Sequence, residues 1–292
     1  MTLLSHTCKH PRYHEQIHWE HTQLPPSLGT ESQNCYYDYK GSDNLTPANV
    51  SITYRIVFRI FKTCKHGEPR TIGEWTQLIH IHSPRIEQPP LLITEDNILY
   101  RMSRRRFVTE GMRRRRIGHL SAHATQPAAI HYCPPGQTNS TSNKLTTNVR
   151  INFQYQTTSG RPLPDLRKGR LELNAITSFA VEPWSDYPNL MDQSDLNAHY
   201  AHYIKAVSVP SLSARKILWK RDSVQDDGML TEIYTGVLDL PIVLPDKTSF
   251  PPTFHSCLVS RTYSLRLELF FEPCSQWAAS CKLSLTVPVQ IC

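Results

Sequence analysis

The chain has 292 residues, 39% of them hydrophobic, with 22 prolines against 11 glycines; that length suffices for a buried core, and the composition reads as many short strands between proline-punctuated loops rather than as helices. The net charge of +7 is local: eight of the 32 Lys and Arg residues lie between Arg101 and Arg116 beside one of the 25 acids, Glu110, which leaves 24 bases against 24 acids elsewhere. No apolar run approaches the ~18 residues of a membrane span, the first ten residues lack a signal-peptide core, and the eight cysteines form no Cys-x-x-Cys pair, which together read as a cytosolic protein with reduced thiols.

Residues 1–40 carry little hydrophobic pattern: Leu24-Pro-Pro-Ser-Leu28 is a loop signal and Cys35-Tyr-Tyr-Asp-Tyr39 the start of an edge strand. Asp43-Asn-Leu-Thr-Pro47 reads as a turn. A strand follows over Val50–Phe61, with Ile52, Tyr54, Ile56, Phe58 and Ile60 on one face and Ser51, Thr53, Arg55, Val57 and Arg59 on the other, because side chains alternate with period two along a strand. Trp75–His82 is the next strand, and the two are expected to pair antiparallel in a sheet short of partners. Residues 91–116 read as an extended basic linker. Beyond it, Ile117–His123 starts the C-terminal domain and Gln126–Ile130 continues it, and Val149–Tyr155 and Leu171–Phe179 have strand patterns. Tyr203–Val209 reads equally as a strand or, with Leu196 and Tyr200, as a helical turn, and Ile217-Leu-Trp219 precedes the last sheet. Three long alternating runs close the chain. Their expected buried faces hold Tyr234, Leu238, Leu240, Ile242 and Leu244, then Cys257, Val259, Tyr263, Leu265, Leu267, Leu269 and Phe271, then Leu283, Leu285, Val287, Val289 and Ile291. Prolines 241, 245, 251, 252 and 288 belong at strand ends, edges or bulges, since each removes a ladder donor. Eight or nine strands after residue 117 suit one β-sandwich.

The strings Leu240-Pro-Ile-Val-Leu-Pro245, Phe250-Pro-Pro-Thr-Phe-His-Ser-Cys-Leu-Val-Ser-Arg-Thr-Tyr-Ser-Leu265 and Leu283-Ser-Leu-Thr-Val-Pro-Val-Gln-Ile291 resemble the end of an arrestin C-terminal domain, most closely that of the fungal α-arrestin group. Leu24-Pro-Pro-Ser-Leu28, Val50-Ser-Ile-Thr-Tyr54 and Ile86-Glu-Gln-Pro-Pro90 resemble the second half of an arrestin N-terminal domain. The resemblance implies an all-β chain of two immunoglobulin-like β-sandwich domains of arrestin type, the first truncated: a partial N-terminal sandwich over 1–90, the basic linker over 91–116 and the C-terminal sandwich over 117–292. It implies a non-catalytic adaptor in endocytic trafficking, cytoplasmic and peripheral at the plasma membrane or endosome, that links membrane transporter or receptor cargo to a WW-domain ubiquitin ligase. The family recruits that ligase through Pro-Pro-x-Tyr. Here Pro25-Pro-Ser-Leu, Pro89-Pro-Leu-Leu, Pro134-Pro-Gly-Gln and Pro251-Pro-Thr-Phe all lack the tyrosine. The alternatives are therefore a β-sandwich scaffold or trafficking subunit without ligase contact, or a truncated non-functional paralogue.

No nucleophile elbow, phosphate loop or dinucleotide fingerprint is present, so no catalytic residue and no cofactor is assigned. Fourteen histidines invite a metal reading. His80 and His82 would share a strand face, and His199 and His202 would share one only on a helix, but neither pair has partners at zinc spacing, and no metal is assigned. The candidate site is the basic segment. Arg104, Arg105, Arg106, Arg113, Arg114, Arg115 and Arg116 are suited to anionic lipid headgroups or phosphorylated tails, because guanidinium forks pair phosphate oxygens; without aromatic interleaving or a recognised module, nucleic acid is not expected. Arg261 falls on the apolar face of its run, where burial demands partners, and is a candidate buried polar switch.

Overall fold

The computed structural model describes residues 21, 23–29, 45–63, 68–83, 85–110, 115–131, 146–158, 162–184, 186–190, 199–226, 229–245, 248–272 and 281–292. Twelve strands run through them: β1 (Tyr54–Lys62), β2 (Arg70–Ile79), β3 (Ser103–Glu110), β4 (Arg115–Ala124), β5 (Thr146–Thr158), β6 (Leu166–Ala180), β7 (Tyr200–Leu212), β8 (Lys220–Asp226), β9 (Met229–Val243), β10 (Phe254–His255), β11 (Val259–Phe271) and β12 (Cys281–Val289). No α-helix occurs among the described residues.

Ten strands form two five-stranded antiparallel sheets. One has the order β3-β4-β5-β9-β8; in the other, β10-β11-β6-β7, β12 also pairs with β11. β10 and β12 share one edge of β11 end to end: Arg261 lies opposite Phe254, and Tyr263 opposite Val289. The alternating apolar sets of both sheets meet in one core, with Phe153 of β5 and Leu240 of β9 on one side and Leu173, Leu267 and Leu285 on the other. Phe153 and Phe271 meet edge to face at 5.6 Å between centroids, a geometry favoured by ring quadrupoles. The inward sets expected for the three terminal runs are buried from Leu238 to Leu244, from Tyr263 to Phe271 and from Leu283 to Ile291; Tyr234, Cys257 and Val259 are half-buried.

The outer face of β11 is not wet along its first half. Thr262 and Ser264 are buried, and the Tyr100 hydroxyl, held by Asn189, reaches Thr262. Asn189 Nδ2 donates to the Tyr100 hydroxyl (3.2 Å) and Asn97 Nδ2 to the Asn189 carbonyl (3.1 Å). Nearby, the Trp184 indole donates to the Ser256 carbonyl (2.8 Å). Tertiary covering of this kind is invisible to alternation, which reports only which residues share a face.

β1 and β2 pair antiparallel as expected, from Tyr54 opposite Ile79 to Lys62 opposite Arg70. They form a two-stranded sheet by themselves among the described residues. The segments around them are fixed to the large sandwich: Leu45 belongs to its core, while Leu28 and Val50 pack with Phe254. Gly29, at φ 81°, makes the close approach next to Leu28; a Cβ there would lie 2.8 Å from the Val50 carbonyl oxygen, so only glycine fits both the backbone and the space.

One sequence expectation changes, and three further segments are settled. Residues 91–116 are not a linker: Ser103–Glu110 is edge strand β3 with Val108 in the core, and Arg115–Arg116 open β4. An edge strand keeps its arginines solvated while Val108 reaches the interior, so dense charge did not prevent strand formation. Residues 126–130 make no strand beyond the bridge of Ile130 to Ile291. Ile217-Leu-Trp219 is irregular chain before β8. Tyr203–Val209 is strand, within β7.

Candidate functional site

The arginine run divides between two faces of β3. Arg104 lies opposite Ala122 of β4 and Arg106 opposite Leu120. Directly opposed residues share a face, so both arginines are on the side of the buried Leu120 and Ala122, two and four positions before the core residue Val108. At the rim of the sandwich this side opens toward β12. Arg105 and Phe107 point the other way. Arg105 Nη2 lies 2.7 Å from His119 Nε2, and burial, with the Arg105 charge second, pushes the His119 pKa down. The Arg116 guanidinium stands 4.2 Å from the Phe107 ring centroid, a cation–π contact. Arg115, opposite Glu110, is exposed; Arg113 and Arg114 lie outside the described residues. The seven arginines are therefore not one patch, and the period-two turn of the strand separates them.

The side bearing Arg104 and Arg106 closes a cleft. Before β3, Arg101 exchanges two backbone hydrogen bonds of 2.8 Å with Thr286 of β12, which pins the chain against the edge of the β11–β12 sheet. Between this pin and β3 is a cleft of about 450 Å³ lined by residues 97–101, Arg104, Arg106, Arg266, Glu268, Lys282, Ser284 and Thr286. Pairing of Arg266 with Thr286 and of Glu268 with Ser284 sets the floor.

The electrostatics of the floor turn on Glu268. It is buried, and its carboxylate accepts from Lys282 Nζ at 2.8 Å and Arg266 Nη2 at 3.1 Å, with Arg170 Nη1 at 3.9 Å. The Lys282 hydrogen bond, partly opposed by burial, holds its pKa below the usual carboxylate range. Among the described residues no carboxylate lies within ion-pair distance of Arg101, Arg104 or Arg106. Five cations thus face one acid already engaged with two of them. Three guanidinium groups at the mouth remain available for the oxygens of an anion, in a concave setting where solvent screens less than on a flat surface.

Arg261 is fully buried on the core side of β11. Its Nη1 donates to the Leu45 carbonyl at 3.4 Å and its Nη2 to Thr46 Oγ1, and its guanidinium lies 6.0 Å from the Tyr263 ring centroid. It ties the 45–46 turn to the sandwich and is not among the residues that line the cleft.

The histidine pairs resolve separately. His80 and His82 lie beyond the end of β2 with ring centroids 4.5 Å apart. His202 is on strand β7, where its Nδ1 meets Ser178 Oγ at 2.7 Å, so it and His199 do not share a helical face. Among the described residues no group of three or more His, Cys, Asp or Glu is placed to hold a metal. Sequence reading missed Arg101, Arg266, Glu268 and Lys282. Arg101 was visible only as the start of the basic segment and the other three only as members of a wet strand face; the β11–β12 pairing and the Arg101–Thr286 bridge bring them to one place.

No protein-family model matches the chain, and no curated protein matches its sequence. No helix among the described residues is long and apolar enough to cross a membrane.

Proposed function

We propose that this chain is a non-catalytic, arrestin-like adaptor of membrane trafficking that binds an acidic or phosphorylated segment of transporter or receptor cargo in the cleft between β3 and β12. One observation carries the reading: Arg101, Arg104 and Arg106 line a concave site whose only carboxylate among the described residues is already held by Lys282 and Arg266. A cleft receives a protruding side chain better than it matches a flat lipid surface, which favours a peptide over a membrane as the anion's source. The adaptor role and the peripheral, cytoplasmic location rest on the arrestin resemblance of the terminal strings. The absence of tyrosine from all four Pro-Pro pairs favours an adaptor without direct ligase contact over one that recruits a WW-domain ligase.

The test is fluorescence anisotropy with acidic peptides carrying or lacking phosphoserine, beside vesicles with graded anionic lipid. Phosphopeptide binding that weakens with salt and falls at least tenfold in Arg104→Gln/Arg106→Gln supports the cleft. Binding to vesicles alone moves the assignment to the membrane, and binding to neither removes it. A pull-down against a WW-domain ligase separates the two adaptor readings.

A further inference from the structure

Beyond Tyr54, whose hydroxyl donates to the Pro25 carbonyl at 2.7 Å, the hairpin β1–β2 carries an apolar face that is exposed among the described residues. Register puts Ile56 beside Gln77, Phe58 beside Trp75, Ile60 beside Gly73 and Tyr54 beside Ile79 on one side. Ile56, Phe58, Ile60, Trp75 and Ile79 are 42, 54, 63, 56 and 36% exposed, and the Phe58 and Trp75 rings touch at 5.2 Å between centroids. The opposite side is mixed: there Arg59, between the exposed Val57 and Phe61 in the strand, pairs with Glu74 at 2.7 Å, and Arg55 stands nearby.

We propose that this face docks on the same face of a second copy of the chain, giving a two-fold dimer in which two hairpins stack as a small β-sandwich. Three features select that occupant. From Tyr54 to Ile60 and from Gly73 to Ile79 the face carries no charged side chain, so like meets like without repulsion, as an isologous interface requires. It also holds both a protrusion, Phe58 with Trp75, and a notch, Gly73, where an added Cβ would meet only the tip of Ile60 at 3.8 Å; one copy's ring fits the other's gap. Edge-to-edge pairing through β1, in contrast, would bring Arg55, Arg59 and Lys62 of two copies together. The five apolar side chains present on the order of 600 Å² per copy, at the top of what a monomer leaves in one patch and below the ~800 Å² per partner of a long-lived complex. A weak, reversible dimer follows.

Sedimentation velocity on the full chain from about 1 to 100 μM tests this. The expected result is a monomer–dimer equilibrium with a midpoint in the micromolar range. Phe58→Glu should shift the midpoint at least tenfold toward monomer, Trp75→Gln should shift it in the same direction, and Phe61→Glu, on the other side of β1, should leave it unchanged. Melting temperatures close to the parent's establish that the variants are folded; an unfolded Phe58→Glu chain leaves Trp75→Gln to decide. A monomer at every concentration, an open series of larger species, or equal effects of Phe58→Glu and Phe61→Glu overturns the proposal.

Discussion

Glu268 sets how strongly the cleft attracts an anion, because it is the internal competitor for Lys282 and Arg266. Glu268→Gln should raise phosphopeptide affinity severalfold in the same anisotropy assay, since two cations are released toward the mouth. It should also destabilise the fold, since a buried acceptor of charged donors is weakened; a melt of the variant without ligand measures that part. His255 gives the protein a separate acid sensitivity. It is buried with Nδ1 at 2.8 Å from Ser260 Oγ, and burial, with the Arg85 charge second, pushes its pKa down to about 3. The folded state therefore refuses a proton that the unfolded chain accepts at its ordinary pKa near 6.5. The contribution is fully present above about pH 6.5 and is lost as pH falls toward 3. Between pH 6.5 and 5 the expected loss is up to about 2 kcal/mol. Replacing His255 by Gln should flatten the melting temperature over that interval; an unchanged slope would assign the acid sensitivity to other groups. Glu268 acts in the same direction but lower, losing its contribution only as pH falls below the ordinary carboxylate range.

Strand β11 is the element on which both faces depend. Leu267 is fully buried between Leu171 and Leu285 in register, and Leu267→Ala should cost about 2–5 kcal/mol. Ser264, on the other face, is also buried, and its hydroxyl accepts only a long hydrogen bond of 3.5 Å from Asn174 Nδ2, so Ser264→Ala should cost about 1 kcal/mol or less. Urea melts of the two variants compare these directly, and similar losses would contradict the register. β3 teaches a complementary lesson. Its composition, three arginines in eight residues, reads as solvated chain, yet one alternate position, Val108, reaches the core. A local window weighs charge density, whereas the fold requires only that the inward positions be apolar where they meet the interior.

At the scale of the molecule, the sandwich does not begin where the strong hydrophobic pattern begins. Removing residues before 117 would take away β3, the Arg101–Thr286 pin and Leu45, and would expose the edge of β4. The fragment 97–292 should therefore unfold cooperatively at a higher temperature than 117–292, and the full chain higher still, because Leu45 and Thr46 also anchor Arg261. Circular dichroism melts of the three chains check the order. If 117–292 melts with the longer fragment, β3 is only an appended strand.

The sequence by itself determined that the chain is all-β and which side chains of its last three runs face inward. Period-two alternation is a local property, and burial of the apolar set follows from water's exclusion wherever the sheet happens to pack. It also located the one basic segment and the antiparallel pairing of β1 with β2. Only the tertiary structure decided that Arg104 and Arg106 part company with Arg105, that Arg101, Arg266 and Lys282 join them around Glu268, and that the outer face of β11 is covered at Thr262 and Ser264. Those outcomes depend on which strands become neighbours and on what a distant segment such as 97–101 lies against. The meeting of the two sheets beside the Arg101–Thr286 bridge brings together residues some 160 positions apart, as Arg104 and Arg266 are, and no local pattern carries information across that separation.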